Sequence, residues 1–262
     1  MNNKKTALIT GASSGIGKEL SHIHAEKGGD LIIVARSEGK LKELKESLES
    51  KHGITVHVLV KDLANPGAAK ELYDEVKKQG IEVDYLINNA GFGGVGKFHE
   101  RNIEDDINMI NLNISALVSL THHFLNDFVA KNEGRILNVS STASLMPGPL
   151  QAVYFATKAF VSSFSNALTE ELKDTNITVT NLMPGATDTD FGKVSGMDKT
   201  DLFKDTVSAR SVAEDGYNAM IQGKMDKISG LKIAQKIMMS FLPITPKKIV
   251  MSQVRDMQEV KS

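Results

Sequence analysis

Six short apolar runs, each followed by a segment of helical periodicity, constrain this chain more than any single motif in it. Thr6–Thr10 (TALIT), Asp30–Ala35 (DLIIVA), 55–60, 83–87, 135–139 (RILNV) and 177–183 read as strands, since each is a continuous apolar run too short for a helix. The intervening residues read as helices over 16–27, through Leu41, Leu44 and Leu48, then over 68–78, 104–130 and 153–173, with another over 211–222. Strands that are apolar on both faces must be covered on both faces. Alternation with helices then gives parallel pairing and right-handed crossovers. The expected fold is an α/β, single-domain, Rossmann-type doubly wound parallel sheet of six to seven strands spanning residues 1–262, with 227–230 (KISG) as a degenerate seventh strand. In such a sheet ligands sit beyond the carboxyl ends of the strands, and every motif described below falls at such an end.

Composition removes several function classes. A formal net charge of -1, with no block of basic residues, gives no basis for nucleic-acid binding. The absence of cysteine excludes disulfides, thiolate nucleophiles and Cys-zinc sites, and suits a reducing compartment. Residues 1–5 are polar, without the apolar core of a signal peptide, and no stretch of about 18 apolar residues occurs. The expected location is cytoplasmic, with no integral membrane segment. His22/His24 and His122/His123 lack metal-ligand spacing, so no metal site is expected.

The first strand runs into Thr10-Gly11-Ala12-Ser13-Ser14-Gly15-Ile16-Gly17. Between a strand and a helix, Gly11, Gly15 and Gly17 permit a tight turn and let a pyrophosphate approach backbone N–H groups, while the helix N-terminus adds a favourable dipole. The residues expected against the phosphates are Gly11, Ser13, Ser14, Gly15, Ile16 and Gly17. Arg36 follows the second strand, where the adenosine ribose of a dinucleotide belongs. With no acid among Ala35, Arg36 and Ser37, the guanidinium suits a 2′-phosphate, so NADP(H) is preferred and NAD(H) is the alternative. Asp62 and Leu63, ending the third strand, can bracket the adenine.

Tyr154 and Lys158 are four apart and share a helix face. A phenol titrates near 10, too high for neutral acid–base work, and a neighbouring ammonium, with the positive nicotinamide of an oxidised cofactor, is expected to lower it. A tyrosine so tuned can give a proton to a carbonyl oxygen or take one from an alcohol. Ser140 and Ser141 follow the fifth strand, where a hydroxyl can meet the substrate oxygen. Asn113 can hold a helix carbonyl and a water that passes protons to Lys158.

With these residues the chain resembles a short-chain dehydrogenase/reductase of the common short type, from Lys5 to about Phe191. The resemblance rests on T-G-A-S-S-G-I-G, Asp62-Leu63, Asn88-Asn89-Ala90-Gly91, Asn113, Asn138-Val139-Ser140-Ser141, Tyr154-x-x-x-Lys158 and Pro184-Gly185, all in order. It implies Tyr154 as the acid/base, Lys158 as cation and ribose ligand, Ser141 as the substrate-polarising hydroxyl and Asn113 as anchor of the relay water. Ser141 rather than Ser140 stands thirteen before Tyr154, as the family pattern requires. The resemblance further implies Asn89, Ala90 and Gly91 along the cofactor's ribose side. Pro184, Gly185, Thr187 and Thr189 fall where the nicotinamide is held, Thr189 being the better match for its carboxamide. The family's arginine after the second strand accompanies NADP preference, while the basic residue sometimes present in the glycine loop is replaced by Ser14.

The implied activity is an NADP(H)-dependent carbonyl reductase or alcohol dehydrogenase acting on a small molecule. Phe92, Leu145, Met146 and Phe191 favour a hydrophobic ketone or secondary alcohol. The alternatives are an NAD-linked alcohol dehydrogenase and a non-catalytic NADP(H)-sensing protein, although a pure sensor needs no proton relay. A homodimer or homotetramer is implied, without the acidic-Gly-Gly tail on which many relatives pack into a tetramer.

Residues 190–262 depart from the family pattern and form a variable substrate lid and C-terminal helical extension, 190–208 reading as a polar lid. Ile233, Ala234, Ile237, Met238, Phe241 and Leu242, before Pro243, leave three readings open: a helix packed on its own domain or a partner, a wall for a long apolar substrate, or, with Lys232, Lys236, Lys247 and Lys248, a membrane-surface contact.

Overall fold

The computed structural model describes residues 4–200, 203 and 205–259, with the side chains of residues 199, 233, 234, 236, 240 and 243 outside that description. Seven strands form one all-parallel sheet: β1 (Thr6–Thr10), β2 (Asp30–Ala35), β3 (Val56–Val60), β4 (Tyr85–Asn88), β5 (Gly134–Val139), β6 (Ile177–Pro184) and β9 (Asp226–Ser229), in the order β3-β2-β1-β4-β5-β6-β9. The six expected strands are present within a residue or two of their expected bounds, and the degenerate KISG segment is the seventh. The order reverses direction between β1 and β4, which defines the switch point.

Alternation along the strands assigns the two faces. Ala7 and Ile9 of β1 pack with Leu20 and Ile23 of helix α1 (Gly15–Glu26), Leu41, Leu44 and Leu48 of α2 (Glu38–His52), and Val212 and Tyr217 of α8 (Ala209–Ile221). Leu8, between Ala7 and Ile9, points the other way. It joins Leu72 and Val76 of α3 (Ala68–Lys78), Phe124 and Phe128 of α5 (Leu117–Lys131), and Leu168 of α6 (Ala152–Glu171). Period-two side chains on a sheet covered twice give each residue a helix to face, which is why the strands read as unbroken apolar runs.

The long helical region is one rod in three parts: α4 (Ile103–Ile110), a π-helical turn (Asn111–Ala116) and α5. The inserted turn carries Asn113, and such turns recur where a side chain must be re-aimed. His24 is a packing residue, its Nδ1 2.9 Å from the Tyr217 hydroxyl and its Nε2 2.9 Å from the Lys5 carbonyl, and burial lowers its pKa.

Among the described residues of 190–208 there is regular structure where the sequence reads as a polar lid. Thr189 caps α7 (Asp190–Ser195), and β7 (Thr187–Asp188) pairs in parallel with β8 (Val207–Ser208). Beyond β9 come α9 (Ile233–Phe241) and α10 (Lys247–Gln258), both inside the span read as a C-terminal helical extension, where the sequence gives α10 no bounds of its own. Leu242 packs into the cluster around Tyr154, as do Val250 and Val254 of α10, whereas Ile237, Met238 and Phe241 are exposed. The side chains of Ile233, Ala234, Lys236 and Pro243 lie outside the described residues. No helix among the described residues is long and apolar enough to cross a membrane.

Phe124 is almost fully buried between α3 and the sheet, edge-on to Tyr73. Phe124→Ala is expected to cost about 3–5 kcal/mol in urea unfolding. A loss under about 1 kcal/mol would mean that this layer can collapse around the cavity.

Candidate active site

The site is assembled at the carboxyl edge of β1, β4, β5 and β6. At the switch point a single hydroxyl ties two strand ends together. Thr10 Oγ1 accepts from Asn89 N and Ala90 N, both at 3.0 Å, and donates to the Ile87 carbonyl at 3.4 Å. Asn89 Nδ2 returns the contact to the Thr10 carbonyl at 2.9 Å and the Gly11 carbonyl at 3.3 Å. The sequence reading assigned Thr10 no role; its place as the last residue of an apolar strand was the available signal.

The glycine turn follows. Gly11 and Gly15 have φ of 67° and 54°, in the region that disfavours a side chain. A Cβ on Gly11 would lie 2.8 Å from Asn89 Nδ2, one on Gly15 would lie 2.9 Å from Thr189 Cγ2, and one on Gly17 would run into the Gly11 carbonyl. Ser14, at the N-cap of α1, makes no side-chain cap, and the first turn of that helix holds no acid. Its leading N–H groups and dipole therefore face the turn free of a competing carboxylate, the donor set that a pyrophosphate requires. Gly11, Ser13, Ser14, Gly15, Ile16 and Gly17 lie together there.

Arg36 and Asp62 meet at the ends of β2 and β3, with Arg36 Nη1 3.9 Å from Asp62 Oδ2 and the guanidinium 76% exposed. An exposed arginine in so loose a pair retains donors for a phosphate. Leu63 is buried behind Asp62. These groups fit a dinucleotide carrying a 2′-phosphate, with the glycine turn at one end and Arg36 at the other.

Two of the catalytic candidates meet at Gly91. A Cβ there would come 3.0 Å from Asn113 Oδ1 and 3.3 Å from Lys158 Nζ. Asn113 is buried in the π-helical turn. Its Oδ1 accepts from Phe92 N at 3.1 Å, and its Nδ2 donates to the Phe92 carbonyl at 3.0 Å and to Thr157 Oγ1 at 3.1 Å. The asparagine thus holds the chain after β4 against the tyrosine helix. Lys158 Nζ donates to the Val139 carbonyl at 2.9 Å and sits 5.9 Å from the centre of the Tyr154 ring. Ser141 Oγ accepts from Ala143 N at 3.1 Å and stands beside the Tyr154 phenol. Ser140 turns inward, donating to the Lys158 carbonyl at 2.8 Å, so the two adjacent serines divide into a positioning residue and a half-buried hydroxyl at the tyrosine.

Burial pushes the Tyr154 phenol up to about 12, opposed by the Ser141 hydroxyl, which favours phenolate. Burial also lowers the Lys158 ammonium to about 8. In the protein alone, desolvation of the phenol outweighs the ammonium expected to bring it down. At neutral pH the pair is a protonated phenol beside a mostly charged lysine.

Pro184 ends β6 and Gly185 follows, its N–H donating to the Ser229 carbonyl at 2.9 Å. Thr187 is buried, with Oγ1 on the Gly185 carbonyl at 2.9 Å. Thr189 lies against Gly15, so the residues expected at the nicotinamide end return to the phosphate turn. Over the tyrosine lies an apolar wall. Phe191 is 5.5 Å from the Tyr154 ring, and Phe92, Met146 and Leu242 pack in the same cluster, while Leu145 is partly exposed.

Comparison with known proteins agrees with this geometry. The short chain dehydrogenase family model matches residues 5–200, and the chain belongs to that family of oxidoreductases acting on CH–OH and C=O groups. It is 36% identical over 195 residues to the NADP-dependent 3-hydroxy acid dehydrogenase of Schizosaccharomyces pombe, covering 72% of this chain and 74% of that one. It is 32% identical over 194 residues to the very-long-chain 3-oxoacyl-CoA reductase of Rattus norvegicus, covering 72% of this chain and 61% of that one, so the match spans less than two thirds of the rat protein. A short-chain dehydrogenase from Sphingobium yanoikuyae in complex with NADPH superposes with a TM-score of 0.82 at 28% identity, covering 98% of each chain.

The buried lysine carries a sign that can be measured. Its folded pKa, about 8, lies below its ordinary 10.5, so between those values the unfolded chain holds a proton that the folded chain has lost. Stability therefore rises with pH across that window, and the burial penalty is fully present below it. Thermal unfolding of wild type beside Lys158→Met, from pH 8 to pH 10, should show wild type gaining on the variant as pH rises. Parallel curves would mean that the ammonium is not desolvated. At the glycine turn, Gly17→Ala should weaken NADPH binding by about tenfold or more in calorimetry, because the new methyl displaces the Gly11 carbonyl.

Proposed function

We propose that the protein is an NADP(H)-dependent carbonyl reductase or alcohol dehydrogenase acting on a hydrophobic ketone or the corresponding secondary alcohol. The observation that carries this reading is that Lys158 meets Asn113 at Gly91 on one side and the Tyr154 ring on the other, with the Ser141 hydroxyl at the Tyr154 phenol. Tyr154 packs in one cluster with the apolar Phe92, Met146, Phe191 and Leu242. The NADP-dependent yeast relative and the NADPH-bound structural neighbour support the cofactor assignment, together with Arg36.

When bound, the nicotinamide supplies or receives the hydride. The Ser141 hydroxyl donates to the substrate oxygen and orients the carbonyl toward Tyr154. In reduction the Tyr154 phenol gives its proton to that oxygen, and in oxidation the phenolate removes one. Phenolate forms next to the Lys158 ammonium, whose charge stabilises it in a site where desolvation otherwise favours the neutral phenol. Asn113 holds the Phe92 backbone and, through Thr157, the helix that carries both groups, which fixes their separation. The apolar wall excludes water and favours a hydrophobic substrate surface. Asn89 and Ala90 line the ribose side, and Arg36 takes the 2′-phosphate.

Tyr154→Phe should cut carbonyl reduction by about 10²- to 10⁴-fold while leaving NADPH affinity nearly intact. Retained turnover, followed by NADPH absorbance over a panel of ketones, would falsify the acid/base role. Arg36→Asp should reverse the cofactor preference, weakening NADPH relative to NADH by about tenfold or more, because a carboxylate replaces the partner of the 2′-phosphate. Equal loss for both cofactors would remove Arg36 from the specificity assignment.

A further inference from the structure

Next to Tyr154 lies a small recess whose polar lining the chemistry above leaves unused. Gly94 and Gly96 of the chain between β4 and α4 border it, with Arg101, Asp106 of α4 and Gln151 at the N-cap of α6, three residues before the catalytic tyrosine. Arg101 folds back over this chain. Its Nε and Nη2 donate to Asp106 Oδ1 at 2.9 and 2.7 Å, and its Nη1 donates to the Val95 carbonyl at 3.1 Å. Any side chain on Gly94 would collide with the guanidinium, which explains a glycine there.

Asp106 is 2% exposed and Gln151 is 1% exposed. Even so, Asp106 Oδ2 and both ends of the Gln151 amide, Oε1 and Nε2, make no hydrogen bond within the protein. Buried polar atoms are nearly always partnered, because leaving one bare forfeits its hydration without return. Three such atoms belong to two residues that line one recess, and a group entering it would supply the partners they lack.

Their chemistry selects the class of group. Arg101 and Asp106 cancel in charge, so the recess carries no net charge to attract an ion. Asp106 Oδ2 and Gln151 Oε1 can only accept, and Gln151 Nε2 can only donate. A hydroxyl both donates and accepts, and so meets the two kinds of group at once. A carboxylate could satisfy the donors alone, and would bring its charge against Asp106 in a buried place. The recess also has room for about one water-sized group, which a hydroxyl fills.

We infer that this recess is a specificity subsite that reads a hydroxyl group on the carbonyl substrate through Asp106 and Gln151, with Arg101 as the positioning residue. The inference rests on the proposed carbonyl chemistry at Tyr154 and narrows its substrate class to hydrophobic hydroxy-ketones, or the matching diols, over keto acids. The yeast relative is named for a hydroxy acid, so the expectation separates the two proteins.

The test uses ketones of one carbon skeleton bearing a hydroxyl, a methyl or a carboxylate, with that group walked outward from the carbonyl. For wild type, kcat/KM with NADPH should favour the best-placed hydroxyl over its methyl counterpart by about tenfold or more, and over the carboxylate by at least as much. Gln151→Met, similar in volume but without hydrogen-bonding nitrogen or oxygen, should reduce the hydroxyl-to-methyl ratio to within about threefold of unity. Asp106→Asn retains an oxygen for Arg101 while removing the charge, and should narrow the hydroxyl-to-carboxylate ratio about tenfold. If Gln151→Met does not fold, Asp106→Asn carries the same reading. The matching alcohols, titrated calorimetrically into the protein holding NADPH, give the same ratios as Kd values without turnover. Absent turnover with an intact hydroxyl preference in Kd would overturn the reductase reading and leave the subsite standing. Turnover with no hydroxyl preference, or one that Gln151→Met leaves unchanged, would show the recess to hold only a structural water and overturn the inference.

Discussion

The joint between β1 and β4 is the contact on which the rest of the site depends. Two parallel strands whose crossovers leave the switch point toward opposite edges of the sheet have nothing beyond the ladder to hold their ends in register. Here one threonine hydroxyl, saturated by two amide donors and one carbonyl acceptor, locks them, and Asn89 reciprocates onto the Thr10 and Gly11 carbonyls. The glycine turn grows from one side of that joint, and the chain through Gly91, Phe92 and Gly94 grows from the other. Cofactor geometry and catalytic geometry are therefore referred to the same few atoms.

Burial does two opposed things around the tyrosine. It raises the phenol and lowers the ammonium, so the protein keeps the first neutral and the second only modestly basic. A neutral phenol is ready to give a proton, and the nearby charge limits the cost of the phenolate left behind. The same desolvation strengthens each hydrogen bond in the pocket, including those that Ser140, Thr157 and Asn113 use to hold the helix bearing the pair. These positioning bonds are paid for once, by the apolar core on both faces of the sheet.

Much of this was legible in the residues. Each strand is an unbroken apolar run because both its faces are covered, so strand number and parallel sense are legible in the residues, whereas the order of the strands in the sheet is not. Tyr154 and Lys158 share a helix face by spacing alone, and Gly11 and Gly15 do adopt the φ values that glycine permits. The bounds of helix α10 escaped because its buried stripe is only Val250, Val254 and Gln258 amid charged residues, too sparse a periodicity to stand out. The divided roles of Ser140 and Ser141 followed from the family register, since two adjacent hydroxyls look alike in sequence. Spacing reports the charge of Lys158 beside Tyr154, whereas the desolvation that raises the phenol depends on everything else packed around the ring.

By itself, then, the sequence determined the doubly wound sheet, the glycine turn after β1 and the shared helix face of Tyr154 and Lys158, because each depends on periodicity or on what a residue type can do at a local bend. Tertiary structure alone decided the Thr10 joint, the anchoring of Phe92 by Asn113 and the meeting of Arg101, Asp106 and Gln151 beside Tyr154. Those contacts join residues that are tens of positions apart or on separate elements. Their partners are chosen by how the helices and connecting loops settle on the sheet, and burial then sets what each polar atom is worth.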